Sequence, residues 1–128
     1  MQLIANSSAL SAQLREATQK WWDSICPFVS HFRMLQASFA EALTPDEMTV
    51  NIIDLEITRR MIEDTPYPSQ IERPRYYLLQ GFNRHIQSLM DYQTGHPNDG
   101  EQNDALAREH LLYFQLCLRL LGIMETTI

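Results

Sequence analysis

The chain has 128 residues, of which 45% are hydrophobic and 20% are charged, and its formal net charge is −6. This length and composition predict one globular domain, residues 1–128, that buries enough apolar surface to fold without a metal or a disulfide. The negative charge disfavours a nucleic-acid-binding protein, because binding to phosphates requires a cationic surface.

Membrane insertion and export are also disfavoured. The most apolar run, residues 111–124, is shorter than a membrane span and contains Gln115 and Arg119. The first basic residue is Arg15, and no apolar stretch of signal-peptide length precedes it. We therefore expect a cytoplasmic protein in which Cys26 and Cys117 are reduced thiols.

A long row of apolar residues predicts the first helix. From Leu10 to Leu43 the row advances in steps of three or four, as one face of a helix requires. The row continues through Pro27, so the sequence predicts a single helix, bent between Asp23 and Pro27 where proline removes a hydrogen bond. Two separate helices are the alternative, since the residue before a proline favours extended backbone. The row consists of Leu10, Leu14, Ala17, Trp21, Ile25, Phe28, Phe32, Leu35, Phe39 and Leu43.

The second helix has a capping sequence at its start and two apolar rows. Thr44, Pro45 and Glu47 match a capping box with proline at the first helical position. Apolar and polar residues partly alternate in residues 50–57, so a strand is an alternative, but the capping box favours a helix. The first row is Met48, Ile52 and Leu55, the second is Val50, Ile53, Ile57 and Met61, and the residues expected to face water are Asn51, Asp54 and Thr58.

Residues 63–74 predict a long connection. Pro66, Pro68 and Pro74 favour extended backbone, which at about 3 Å per residue could reach roughly 30 Å. A connection of that length could cross the end of a bundle or run along its side, so it leaves the topology open.

The third helix is predicted from about Pro74 to Gln93. Its apolar row contains Leu78, Phe82, Ile86 and Leu89, and Gly95 supplies a stop signal. Gly81, in the middle of this helix, predicts the close approach of a bulky neighbour such as Trp21 or Trp22.

The fourth helix is predicted to follow a turn at residues 98–100, with Asp99 or Asn103 as its cap. Its second half has almost no polar face apart from Gln115 and Arg119. Such a helix must be covered by its own bundle or by a second chain, and we expect self-association. The whole pattern predicts an all-α, up-and-down four-helix bundle with a long first helix kinked near Pro27.

Arginines and tyrosines cluster around the proline-rich connection. Together with the start of the third helix they could hold a phosphate or carboxylate group. Alternatively, the arginines pair with Glu63, Asp64 and Glu72 and the tyrosines seal the end of the bundle. The candidate ligand-binding residues are Arg59, Arg60, Arg73, Arg75, Tyr67, Tyr76 and Tyr77.

Three histidines lie on three different predicted helices. His31, His85 and His110 could converge on a zinc or iron ion, although single histidines on such faces are more often hydrogen-bonded within the fold. The Glu-x-x-His pattern of di-iron bundles is absent from the sequence, as are glycine-rich phosphate loops. Cys26 and His31 are five residues apart, which is poor spacing for a catalytic pair on a helix.

The sequence therefore predicts a non-catalytic helical interaction or scaffold protein without a cofactor. The expected partner is a second copy in a homodimer or another protein. A binding module for a small anionic ligand, built on the arginines and tyrosines, is the first alternative. A metal-dependent helical enzyme that uses the three histidines is the second. No catalytic residue is predicted.

Overall fold

A computed structural model describes residues 2–37 and 42–123, and their side chains from residue 12 onward. Its four helices are α1 (Gln2–Gln36), α2 (Pro45–Glu63), α3 (Glu72–Gln93) and α4 (Pro97–Leu120). A short 3-10 helix, Ser69–Ile71, precedes α3, and the described ranges contain no strand. The predicted all-α four-helix bundle is confirmed. None of the helices in these ranges is long and apolar enough to cross a membrane.

Helices α2 and α3 run in opposite directions. The Gln93 amide, at the end of α3, donates to the carbonyl oxygen of Pro45 at the start of α2. At the other end of the same pair, Arg75 donates to the carbonyl oxygen of Glu63. The early residues of one helix therefore meet the late residues of the next, which is the up-and-down arrangement.

Helix α1 continues through Pro27. The fully buried residues Trp22, Ile25, Val29 and Phe32 follow one another in steps of three, four and three, so the inward face keeps its phase on both sides of the proline. The Pro27 side chain is exposed. The alternative of two helices separated at Pro27 is wrong.

The inward face of α1 differs in detail from the predicted row. Phe28 and Leu35 are only partly buried, and Leu14 is 42% exposed. The buried face also includes Trp22 and Val29, which belong to an adjacent apolar row. The core therefore covers a band that lies between the predicted row and this second row. The predicted Phe39 and the side chain of Leu10 lie outside the described residues.

Helix α2 begins at the predicted capping box. The Glu47 amide donates to the Thr44 hydroxyl at 3.2 Å, and the Thr44 amide donates to the Glu47 carboxylate at 3.0 Å. These bonds satisfy amides that would otherwise lack a partner, so the helix is favoured and the strand alternative is wrong.

Only one of the two apolar rows of α2 faces the core. Met48, Leu55 and Ile62 are buried, and Ile52 packs partly against them. Thr58, which we expected to face water, is also buried, and its hydroxyl donates to the carbonyl oxygen of Asp54 at 2.8 Å. A local bond of this kind allows a threonine to enter the core without an unsatisfied hydroxyl.

The connection between α2 and α3 is shorter than predicted. Ile71 is fully buried, and the Gln70 amide donates to the Thr18 hydroxyl and to the carbonyl oxygen of Leu14. The segment therefore packs against α1. Pro74 lies inside the first turn of α3, where its missing amide donor leaves no hydrogen bond unmade.

Glycines allow α3 and α4 to pack closely. A methyl group added at Gly81 would lie 3.2 Å from the Leu111 side chain, so the neighbour of Gly81 is Leu111 and not the predicted tryptophan. Helix α4 begins at Pro97, and Gly100 therefore belongs to the helix and not to the predicted turn. Proline favours the first helical position, which explains the earlier start.

Aromatic residues fill the space between α1 and the α3–α4 pair. The Phe32 and Phe82 ring centroids are 4.2 Å apart, and Phe114 contacts both Trp21 and Trp22 at 6.5 and 5.9 Å. All five side chains are at most 2% exposed. Two groups of rings thus join the first helix to the last two, one between α1 and α3 and the other between α1 and α4.

We predict that Gly100→Ala destabilises the fold. The added methyl group would lie 2.7 Å from the Tyr92 ring and 3.1 Å from the carbonyl oxygen of Ser88, which is too close for either. We expect urea unfolding to show a net loss of at least about 1 kcal/mol, despite the better helix propensity of alanine. Glu101→Ala, at the neighbouring exposed position, should stay within about 0.5 kcal/mol of the wild type. Equal stability of Gly100→Ala and wild type would contradict the close contact.

Candidate functional site

The second apolar row of α2 is exposed. Val50, Ile53, Ile57 and Met61 are 49–64% exposed and follow one another in steps of three or four, so they form one continuous line on the outer side of the helix. We call these four residues the α2 stripe. Large apolar side chains scattered singly over a surface are ordinary, but a continuous line of four is typical of a contact site.

Acidic residues surround the α2 stripe. Asp46 and Asp64 continue its spacing at either end, and both are exposed without a basic partner among the described residues. Glu56 lies along one edge, together with Arg60, the one cation beside the stripe in this described helix. The apolar line is therefore bounded by negative charge at both ends.

Helix α4 carries a second exposed apolar line. Leu112, Leu116 and Leu120 are 53, 44 and 87% exposed and lie four residues apart. We call them the α4 stripe. The sequence predicts that the second half of this helix needs a cover. In the structure the core covers Phe114 and Leu118, and the three leucines of the α4 stripe stay exposed.

The charge next to the α4 stripe is partly basic. Arg119 lies between Leu116 and Leu120 in sequence, is exposed, and has no acidic partner among the described side chains. Tyr113 borders the stripe on its other side and donates to the Glu109 carboxylate at 2.8 Å. This bond is the main reason that the pKa of the Tyr113 hydroxyl is raised above its usual value.

The predicted arginine and tyrosine residues are divided between separate places. Arg59 donates to the side-chain oxygen of Asn83 at 2.6 Å and lies 3.2 Å from the Glu63 carboxylate. The Arg75 guanidinium lies 4.4 Å above the centroid of the Tyr67 ring, a cation–π contact. These two arginines are thus engaged by the protein itself.

Arg73, Tyr76 and Tyr77 line an open cleft at the start of α3, together with Glu72. The Arg73 side chain is exposed and forms no ion pair within the described part of the chain. The Tyr76 and Tyr77 ring centroids are 5.8 Å apart. Arg60 lies elsewhere, beside the α2 stripe, so the structure brings three of the seven predicted ligand residues together at this cleft.

The three predicted metal-binding histidines are in different surroundings. His31 Nε2 lies 2.8 Å from a carboxylate oxygen of Asp54, which links α1 to α2. His110 Nδ1 lies 3.0 Å from the carbonyl oxygen of Leu106 in its own helix, and its ring meets Tyr77 edge-on. Within the described ranges, no group of three histidine, cysteine, aspartate or glutamate side chains is placed to hold a metal ion.

His85 is the most buried of the three histidines. Its ring packs edge-on against Phe32, and its Nδ1 lies 3.5 Å from a carboxylate oxygen of Asp104, which is long for a hydrogen bond. Arg108 holds the other oxygen of Asp104 at 3.0 Å. The interaction with His85 is the main reason that the pKa of the Asp104 carboxyl is below its usual value, and Arg108 contributes in the same direction.

The α2 stripe is the feature that sequence reasoning missed. Both rows of α2 were visible in the sequence, but only Asn51, Asp54 and Thr58 were predicted to face water. The presence of two rows was itself the signal of an exposed apolar surface. A helix with two apolar rows almost opposite each other has more apolar surface than one core can contact.

Comparison with known proteins gives no assignment. No family model matches the sequence, and no curated protein or solved structure is significantly similar to it.

We predict that Asp104→Asn destabilises the fold at neutral pH and not in acid. Because the pKa of Asp104 is lower in the folded than in the unfolded chain, its charge stabilises the fold above about pH 4. This contribution is lost as the pH falls through the folded-state pKa.

Urea unfolding at pH 7 should show a loss of about 1 kcal/mol for Asp104→Asn, and the difference from wild type should shrink steadily below pH 4. Glu101→Gln, an exposed acid in the same helix, is the matched control and should show neither effect. A loss that is the same at pH 7 and pH 3 would show that the charge of Asp104 is not the cause.

Proposed function

We propose that the chain is a non-catalytic helical interaction protein of the cytoplasm, which associates with copies of itself and serves as a scaffold element. The α2 stripe is the observation that carries this proposal. Its four large apolar side chains are directed away from a core that the same helix fills with Met48, Leu55 and Ile62. Covering exposed apolar surface with another protein is favourable when the fold does not use that surface in its own core.

The α4 stripe supports the same proposal independently. Leu112, Leu116 and Leu120 lie on a helix whose inward side is already occupied by the aromatic core. The contacts of His31 and His85 also support a structural role for the protein, because each ring lies beside an aspartate of a neighbouring helix.

Self-association is tested by sedimentation across a range of protein concentrations. Between about 1 and 100 μM we expect the weight-average mass of the wild type to rise above the 14.9 kDa of the monomer. The double variant Ile53→Glu with Leu116→Glu should remain monomeric over the same range, because each glutamate would be desolvated in a contact.

Thermal unfolding provides the control for this experiment. Both substituted positions are exposed, so the double variant should unfold at nearly the same temperature as the wild type measured at a concentration where it is monomeric. A wild type that stays monomeric at 100 μM would show that the proposal is wrong.

Binding of a small anionic ligand is a second candidate function. It is favoured by the exposed and unpaired Arg73 in the cleft with Tyr76 and Tyr77, at the amino-terminal end of α3. A guanidinium and a helix terminus both attract a phosphate or carboxylate group, and the two tyrosines could donate or pack against it.

This second candidate is tested with citrate and inorganic phosphate in a thermal-shift experiment. A ligand that binds only the folded chain should raise the melting temperature by a few degrees at concentrations well above its dissociation constant. The shift should disappear in Arg73→Ala and persist in Arg60→Ala, the matched control outside the cleft. An equal shift in both variants would exclude this cleft as the site.

A further inference from the structure

The two apolar stripes have different charges around them, and this difference suggests which surfaces meet. We propose that the α2 stripe of one copy packs against the α4 stripe of a second copy. This inference rests on the proposed self-association and names the partner of each surface. Two different faces of the chain would meet in this contact.

Contact between two α2 stripes is opposed by charge. Asp46 and Asp64 stand at the two ends of the stripe, and neither has a basic partner in the described part of the chain. An antiparallel pair of α2 helices would place Asp46 of one copy near Asp64 of the other, and a parallel pair would place each aspartate near its equivalent. Both arrangements bring aspartates together at the ends of the contact, and Arg60, the one cation beside the stripe in this described helix, offsets only part of the negative charge of each copy.

The α4 stripe has a positive charge at one end, whereas Glu109, which precedes its other end, accepts a hydrogen bond from Tyr113. Arg119 adjoins Leu116 and Leu120, is exposed, and lacks an acidic partner among the described residues. Depending on the direction in which the two helices cross, this guanidinium would approach Asp46 or Asp64 of the other copy. A partly desolvated ion pair of this kind fixes which surfaces associate more than it increases affinity.

The lengths of the stripes are also compatible. At 1.5 Å per residue, the α2 stripe from Val50 to Met61 spans about 16 Å, and the α4 stripe from Leu112 to Leu120 spans about 12 Å. Three leucines in steps of four can pack between four residues in steps of three and four, as ridges pack into grooves between helices.

Each copy would carry one stripe of each type, both exposed at the same time. A copy bound through its α2 stripe still presents its α4 stripe to the next copy. That next copy can be the same partner, which closes a two-fold dimer with two equivalent contacts, or a third copy, which extends the assembly into a larger ring or an open chain. The predicted homodimer is the smallest of these assemblies.

Two single variants and their mixture test the inference. Ile53→Glu blocks the α2 stripe and leaves the α4 stripe intact, whereas Leu116→Glu does the reverse. In sedimentation experiments each variant alone should be monomeric, because neither contains both halves of the contact. An equimolar mixture should form a one-to-one dimer of twice 14.9 kDa and nothing larger.

The other possible results separate the ways in which the inference can fail. If Ile53→Glu associates like the wild type while Leu116→Glu is monomeric, two α4 stripes meet, and our pairing is overturned although self-association stands. The reverse result would show that two α2 stripes meet. A wild type that is monomeric overturns the proposed function together with this inference. Two monomeric variants whose mixture stays monomeric overturn the pairing alone.

A separate variant tests the contribution of charge to the proposed contact. Arg119→Glu should weaken the dimer formed in the mixture by about tenfold when it is introduced into the Ile53→Glu chain, which supplies the α4 stripe. Arg119→Lys should restore most of the affinity. Arg84→Glu, at an exposed position of α3, is the control and should leave the affinity unchanged. An Arg119→Glu chain that binds as tightly as its parent would show that Arg119 does not face the acidic ends of the α2 stripe.

Discussion

The close contact between α3 and α4 is the constraint on which the rest of this bundle depends. Gly81 lies against Leu111, and Gly100 lies against Tyr92 and the carbonyl oxygen of Ser88. The Ser88 hydroxyl also donates to the carbonyl oxygen of Gly100 at 2.6 Å in this buried place. Small residues let the two helices approach, so the pair presents a compact surface to the remaining helices. Helix α1 then meets that surface through large rings, and α2 completes the core with only one of its two apolar rows.

The features that could be predicted from the sequence are those decided by neighbouring residues. The capping box of Thr44 and Glu47 requires only four residues, and the stop at Gly95 requires a positive φ, which the structure has at 82°. The continuity of α1 through Pro27 was also visible, since a broken helix would not keep one phase. At the cap and at Gly95 a local hydrogen bond or backbone conformation determines the outcome, and in α1 the spacing of the apolar residues does.

The features that could not be predicted depend on contacts between distant residues. Periodicity showed two apolar rows on α2 but not which row the other helices would cover. Likewise, nothing near His85 in the sequence indicates that Asp104 will lie beside it, and the arginines near residues 59–75 were separated because Asn83 and Tyr67 bind two of them. A sequence can place side chains on helices, whereas their partners follow from how the helices pack.

Long-range charge opposes self-association of this chain, since every copy has a formal net charge of −6. At physiological ionic strength, however, interactions between exposed charges are largely screened beyond about 8 Å. The net charge therefore slows the approach of two copies but contributes little once they touch, where only the charges next to the contact are felt. For that reason, in the assembly that we propose, Asp46 and Asp64 at the ends of one stripe and Arg119 beside the other would decide more about which faces meet than the overall acidity of the protein.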